Sequence, residues 1–243
     1  MDTVQTRRWH EFDSQSAFEQ AAYRFILEHA GHAIAARGAF RIVLAGGNTP
    51  RNIYRELCSA TTDWSAWHVY FGDERCLPAD DPARNSRMAR SEWLDHVAIP
   101  AAQIHAIPAE LGPEAAAHEY ALEIARITEF DLILLGLGED GHTASLFPGG
   151  MWERNETMPD VIPVNDAPKP PAQRVSLSPA RLSRAACVMF LANAEEKRDS
   201  ISQWRSGAEI PAACIAPHGG VDIFLCVRKT SGASATGSSP LTT

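Results

Sequence analysis

Asp140 and His142 stand together in Gly138-Glu139-Asp140-Gly141-His142-Thr143, directly after the aliphatic run Leu132–Leu135. A histidine with a free pKa of about 6.5 accepts a proton at neutral pH, and a nearby carboxylate can orient the ring or stabilise its cation. The pair suits general base chemistry. A plainer role, a capping aspartate beside a structural histidine, fits the same residue types. The spacing is not HExxH and no second His or Cys completes a local zinc set, so the sequence implies no metal and no other cofactor. Ser145 and Ser178 lack a GxSxG elbow, which argues against a serine hydrolase.

Three further groups carry charge or exposed backbone. Gly46-Gly47-Asn48-Thr49-Pro50 lies between a strand-like run and a helix start. Small residues there present N–H groups, and the helix dipole favours an anion. An ordinary turn capped by Thr49 would look similar. The stretch lacks both GxGxxG and GK[ST], which disfavours a nucleotide. Gly72-Asp73-Glu74-Arg75 follows the next strand, and Arg75 could grip a phosphate or carboxylate through two N–H groups. A solvated charged loop is the alternative. Lys197 and Arg174 could each add a positive charge, and Lys197 could equally be a surface lysine paired with Glu195 or Glu196. The chain has 19 arginines but only Lys169, Lys197 and Lys229, so a well-placed lysine is notable.

These residues need a scaffold, and the hydrophobic pattern supplies one. Phe40–Ala45, Trp67–Phe71, the Phe130 run, Arg174–Leu177, Ala185–Ala192 and Asp222–Val227 read as strands, several of them buried on both faces. Ser16 with Glu19 suggests a capping box for a helix running to about Arg37, which Gly38 stops. Phe18, Ala21, Ala22, Phe25, Ile26 and His29 share its inner face. Pro50 suits the first position of a helix reaching Cys58. Asn85 to about His96, Glu114–Ile127, a short turn from Ser178 and Glu195–Arg205 read as further helices. In Glu114–Ile127, Ala117, Tyr120, Ala121, Ile124 and Ile127 face inward. Leu77–Arg84 and the Pro- and Asn-rich stretch from Pro148 to Gln173 read as loops. Alternating strands and helices predict an α/β fold: a doubly wound, mostly parallel, Rossmann-like sheet with helices on both faces. One domain would span residues 1–228, followed by a flexible Ser-, Gly- and Thr-rich tail over 229–243. In such sheets ligands bind outside the carboxyl ends of strands, where Asp140, His142 and the glycine turns fall.

Bulk composition narrows the partners. The chain of 243 residues is 45% hydrophobic and 21% charged, with net charge -8. An acidic balance disfavours nucleic acid and anionic membrane as main partners. The five cysteines show no CxxC spacing, which disfavours a disulfide framework or a structural zinc site. No apolar run approaches ~20 residues, so a cytoplasmic enzyme is expected. Nothing in the pattern gives an oligomeric state.

Taken together, LAGGNTPRNIY, FGDERCLPADDPARNSR, LLGLGEDGHTASLFPG and NAEEKR closely resemble the 6-phosphogluconolactonases, over nearly all of the chain to about Arg228. The wider superfamily includes glucosamine-6-phosphate deaminases, whose pattern GHIAFNEP carries a catalytic Glu five positions after the His. Phe147 holds that position here, and an apolar ring cannot relay protons. The resemblance implies a sugar-phosphate lactone as substrate. Its phosphate would lie on Gly46, Gly47, Asn48 and Thr49, with Arg75, Lys197 and Arg174 as cationic partners. His142 would activate water, held by Asp140, with backbone N–H groups of the glycine turns facing the oxyanion. Asn85 would approach the site from its helix start. A sensor that binds sugar phosphate without turnover is a reading of another class, although it would not need Asp140 and His142.

Overall fold

A computed structural model describes residues 5–150 and 158–227. The expected tail over 229–243 lies outside them. The strands are β1 (Arg7–Phe12), β2 (Phe40–Leu44), β3 (Trp67–Phe71), β4 (Asp73–Arg75), β5 (Leu132–Gly136), β6 (Val161–Val164), β7 (Arg174–Leu177), β8 (Val188–Asn193) and β9 (Val221–Cys226). The helices are α1 (Gln15–Arg37), α2 (Asn48–Leu57), α3 (Asn85–Glu92), α4 (Pro113–Ile124), α5 (Pro179–Leu182) and α6 (Arg198–Arg205).

Six strands form one parallel sheet in the order β1-β9-β8-β5-β2-β3. After β2 the chain adds β3 on one side, then crosses back to place β5 on the other. The direction of winding therefore reverses around β2, and a crevice opens outside the carboxyl ends of β2 and β5. The Gly46 turn leaves β2 and the Asp140-His142 turn leaves β5, so both sequence motifs meet at this reversal. The second sheet, β4-β7-β6, is antiparallel and packs on α4.

Register shows how both faces of the large sheet are covered. Trp9, Ile223 and Phe190 are aligned neighbours, and Trp9 and Phe190 both pack edge-on against Trp204 of α6. Phe224 and Phe12 point the other way, onto Phe25 and Phe18 of α1. On that same side Phe40, Trp67, Trp93 and Tyr54 form an aromatic stack beneath α2 and α3. Leu132–Leu135 is fully buried, as a strand between two helical layers must be.

Several sequence expectations shift. The cap of α1 is Ser14, not Ser16: Ser14 has extended backbone and accepts from Ala17 N at 3.2 Å. Glu19 instead accepts from Gln15 and Asn52 side chains. Pro50 is the third residue of α2, tolerated because the first N–H groups of a helix have no carbonyl partner. The helix from Asn85 ends at Glu92 and a 3-10 turn carries the chain to His96. The fourth helix ends at Ile124, and α6 begins at Arg198 with Lys197 just before it. The strand expected from Ala185 starts at Val188, with Ala185 held by a single bridge to Phe130. The stretch from Pro148 to Gln173 is not all loop, since β6 pairs with β7. The strand β1 was not legible at all. Gly38 does end α1, in the left-handed region at φ 72 with its N–H on Ile34 O at 2.8 Å.

Candidate active site

The histidine pair is geometrically formed. His142 Nδ1 lies 2.5 Å from Asp140 Oδ1, which also accepts from the His142 backbone N–H at 3.2 Å. Burial works to raise the pKa of Asp140, but the hydrogen bonds and charge of His142 outweigh it, and the carboxyl sits below its usual range. An ionised carboxylate only accepts hydrogen bonds, so Nδ1–H donates to Asp140 and Nε2 is the ring nitrogen left to exchange a proton. The turn that presents this ring closes on itself, with Gly138 N–H donating to His142 O at 2.7 Å. Gly138 is required for space: a Cβ there would lie 2.0 Å from His142 Nδ1. The ring's other neighbour is Phe147, at 4.7 Å between centroids. Arg174 lies over the same phenyl ring, 5.3 Å from its centroid.

A cavity of about 190 Å³ is lined by His142, Gly46, Gly47, Asp73, Arg75, Asn85 and Arg174, among others. Arg75 and Arg174 are register partners across β4 and β7, so their side chains leave the same face of that sheet. Burial lowers the pKa of Arg174 most, Asp73 opposes that, and Arg75 lowers it further. Arg174 is held by the carbonyls of Pro171 and Lys169 at 3.1 and 2.9 Å. Such a pair concentrates positive charge on the cavity, an arrangement suited to an anionic ligand.

A second cavity of about 230 Å³ adjoins the first and shares Gly46, Gly47, Gly136 and Leu137 with it. Asn48, Thr49 and Lys197 line it. Among the described residues no side chain caps α2, so its first N–H groups are available at this cavity. The structure thus brings Gly46, Gly47, Asn48, Thr49 and Lys197 around one hollow, and His142, Arg75 and Arg174 around its neighbour. Lys197 pairs with neither Glu195 nor Glu196; among the described residues its carboxylate partner is Glu139, at 3.5 Å.

Buried polar side chains tie the turns of the site together. Asp73 is buried; its Oδ2 accepts from Ser145 Oγ at 2.6 Å and its Oδ1 from Asn85 Nδ2 at 3.0 Å. Asn85 in turn packs on Gly46, where a Cβ would come within 1.9 Å of its Oδ1. Asp73 therefore ties the β2 turn to the segment after His142. Glu74 is wholly buried and accepts from the Asn85 and Ser86 N–H groups at 2.7 and 2.8 Å, capping α3 from a distance in sequence. Ala144, also in the cavity wall, adopts φ 47, which non-glycine residues seldom do.

A family model described as glucosamine-6-phosphate isomerases/6-phosphogluconolactonase matches residues 13–224. The chain is 40% identical over 201 residues to a 6-phosphogluconolactonase of Synechocystis sp., covering 77% of this chain and 82% of that protein. It is 37% identical over 205 residues to one from Mycobacterium leprae, covering 79% and 82%. The crystal structure of a 6-phosphogluconolactonase from Thermotoga maritima shares the fold with TM-score 0.85 at 24% identity, over 91% of this chain and 100% of that one. This chain belongs to the glucosamine-6-phosphate isomerase/6-phosphogluconolactonase family.

Proposed function

We propose that this chain hydrolyses 6-phospho-D-glucono-1,5-lactone to 6-phospho-D-gluconate, as a cytoplasmic enzyme of the pentose phosphate pathway. The observation that carries the reading is the convergence of a histidine–aspartate pair, two opposed arginines and an uncapped helix start on two joined cavities. The phosphate lies at the Gly46–Thr49 turn with Lys197, and the lactone ring extends toward His142. His142 Nε2 takes a proton from water as the water oxygen bonds to the lactone carbonyl carbon. Asp140 stabilises the imidazolium that forms. The oxyanion faces the positive charge of Arg75 and Arg174 and the N–H groups of the glycine turns. The bond from carbonyl carbon to ring oxygen then breaks, and the imidazolium returns its proton to that oxygen. A lactone is an activated ester, so positioning and one base are adequate for the chemistry.

Phe147 supports the lactonase over the deaminase, because it is buried between the His142 ring and Arg174 and offers no proton-transferring group. The test supplies the purified chain with freshly generated lactone and, separately, with glucosamine 6-phosphate. Acid release above the spontaneous rate, without ammonia from the amino sugar, is expected. Ammonia release would establish the other chemistry, and tight 6-phosphogluconate binding without turnover would mark a sensor.

A further inference from the structure

Lys169 and Lys197 are two of only three lysines in the sequence, and both reach the same carboxylate. Glu139, in the turn that carries Asp140 and His142, has Oε1 3.5 Å from Lys197 Nζ and Oε2 3.9 Å from Lys169 Nζ. The partners differ in exposure: the Glu139 side chain is 66% exposed and that of Lys197 only 20%. Lys197 is thus set in the wall of the second cavity, whereas Glu139 can turn into water without losing packing. Glu196 also lines that cavity, but its carboxylate accepts from Asn193 and lies beyond ion-pair distance of Lys197. Lys169 belongs to the segment whose carbonyl holds Arg174 Nη2 at 2.9 Å, so it stands beside the first cavity.

We propose that Glu139 is a resident counter-anion of the phosphate subsite, and that the substrate's phosphate replaces its carboxylate on Lys197. This rests on the placement of the phosphate given above. A phosphate monoester carries roughly twice the charge of a carboxylate near neutral pH and three strong acceptor oxygens. It therefore displaces an exposed carboxylate whose own pairing is weak in water. Glu139 sets how tightly phosphorylated ligands are held, and it discriminates against singly charged anions that compete less well for Lys197.

The test measures KM for the phosphorylated lactone and the inhibition constant of inorganic phosphate in Glu139→Gln, Lys197→Ala and the double variant. Glu139→Gln is expected to lower both constants about two- to five-fold, the range of an exposed ion pair. Glu139→Asp should stay near the parent chain. In the Lys197→Ala background the Gln substitution should change neither constant. A raised KM in Glu139→Gln would overturn the proposal, because the carboxylate would then be positioning Lys197 for substrate. A shift that persists without Lys197 would equally overturn it, while leaving Lys197 as the phosphate partner. If Lys197→Ala alone changes neither constant, the phosphate placement itself fails.

Discussion

Gly138→Ala offers a sharp probe of the histidine geometry because it adds one methyl group and no charge. Gly138 lies outside the left-handed backbone region, so alanine meets no conformational penalty there. Its Cβ would stand 2.0 Å from His142 Nδ1, where ordinary contact begins at 3.4 Å. The ring must then retreat by about 1.4 Å, which disturbs the pose in which Nδ1 meets the Asp140 carboxylate at 2.5 Å. Displacement of a reacting group by about 1 Å costs roughly 100-fold in rate. The loss should fall on kcat, since the turn at Gly46 and Lys197 is untouched. Initial rates against freshly generated lactone, corrected for spontaneous hydrolysis, measure it. A thermal melt within about 4 °C of the parent chain would exclude unfolding as the cause. Full turnover in a folded Gly138→Ala protein would refute the claim that His142 must hold this pose.

Two other outcomes follow from the charges. Lys197→Ala should raise KM for the phosphorylated lactone about 10- to 100-fold, as expected for losing a hydrogen bond between charged groups, and leave KM for unphosphorylated gluconolactone unchanged. Equal effects on both lactones would show that Lys197 does not meet the phosphate. Away from the site, Asp222 accepts from Arg8 Nη2 at 2.7 Å and from His10 Nε2 at 2.8 Å. Burial works to raise its pKa, but these donors and their charge outweigh it and hold the carboxyl below its ordinary 3.8. A carboxyl depressed in the folded chain contributes stability that is complete above its unfolded pKa and is lost as pH falls through its folded value. Asp222→Asn should therefore cost about 1–3 kcal/mol at pH 7, with the gap to the parent chain narrowing below about pH 4 in denaturant titrations. A gap that stays constant to pH 2 would show that the ionised form is not the source.

Much of the scaffold was legible because its signals are local. The runs Trp67–Phe71 and Arg174–Leu177 coincide with β3 and β7. The strand β1 was hidden by its composition, RRWHEF, in which an edge position lets charged side chains reach solvent. The strand β6, VIPV, was hidden by Pro163, which an edge strand accepts because its N–H need not enter the ladder. Ser16 with Glu19 has the residue types of a cap, but the extended backbone and the Ala17 N–H bond belong to Ser14.

The site divides along the same line. Asp140 with His142 and the Gly46 turn were readable as motifs, because the residues that make each are close in sequence. The pairing of Arg75 with Arg174 depends on antiparallel register between strands that are distant in the chain. Lys197 is answered by Glu139, 58 residues away, although two glutamates adjoin it in sequence. Glu74 was readable only as charge, whereas its wholly buried carboxylate is satisfied by the start of α3. Such long-range satisfaction of polar groups leaves no periodic trace.

In the proposed reaction His142 is the base that activates water toward a phosphorylated lactone. The most direct test compares the parent chain with His142→Ala on freshly generated 6-phosphogluconolactone, both shown to bind 6-phosphogluconate. The parent chain should accelerate the reaction above spontaneous hydrolysis, and the variant should lose about 10²- to 10⁴-fold in kcat with binding retained. Near-parental turnover by folded, ligand-binding His142→Ala protein would contradict it.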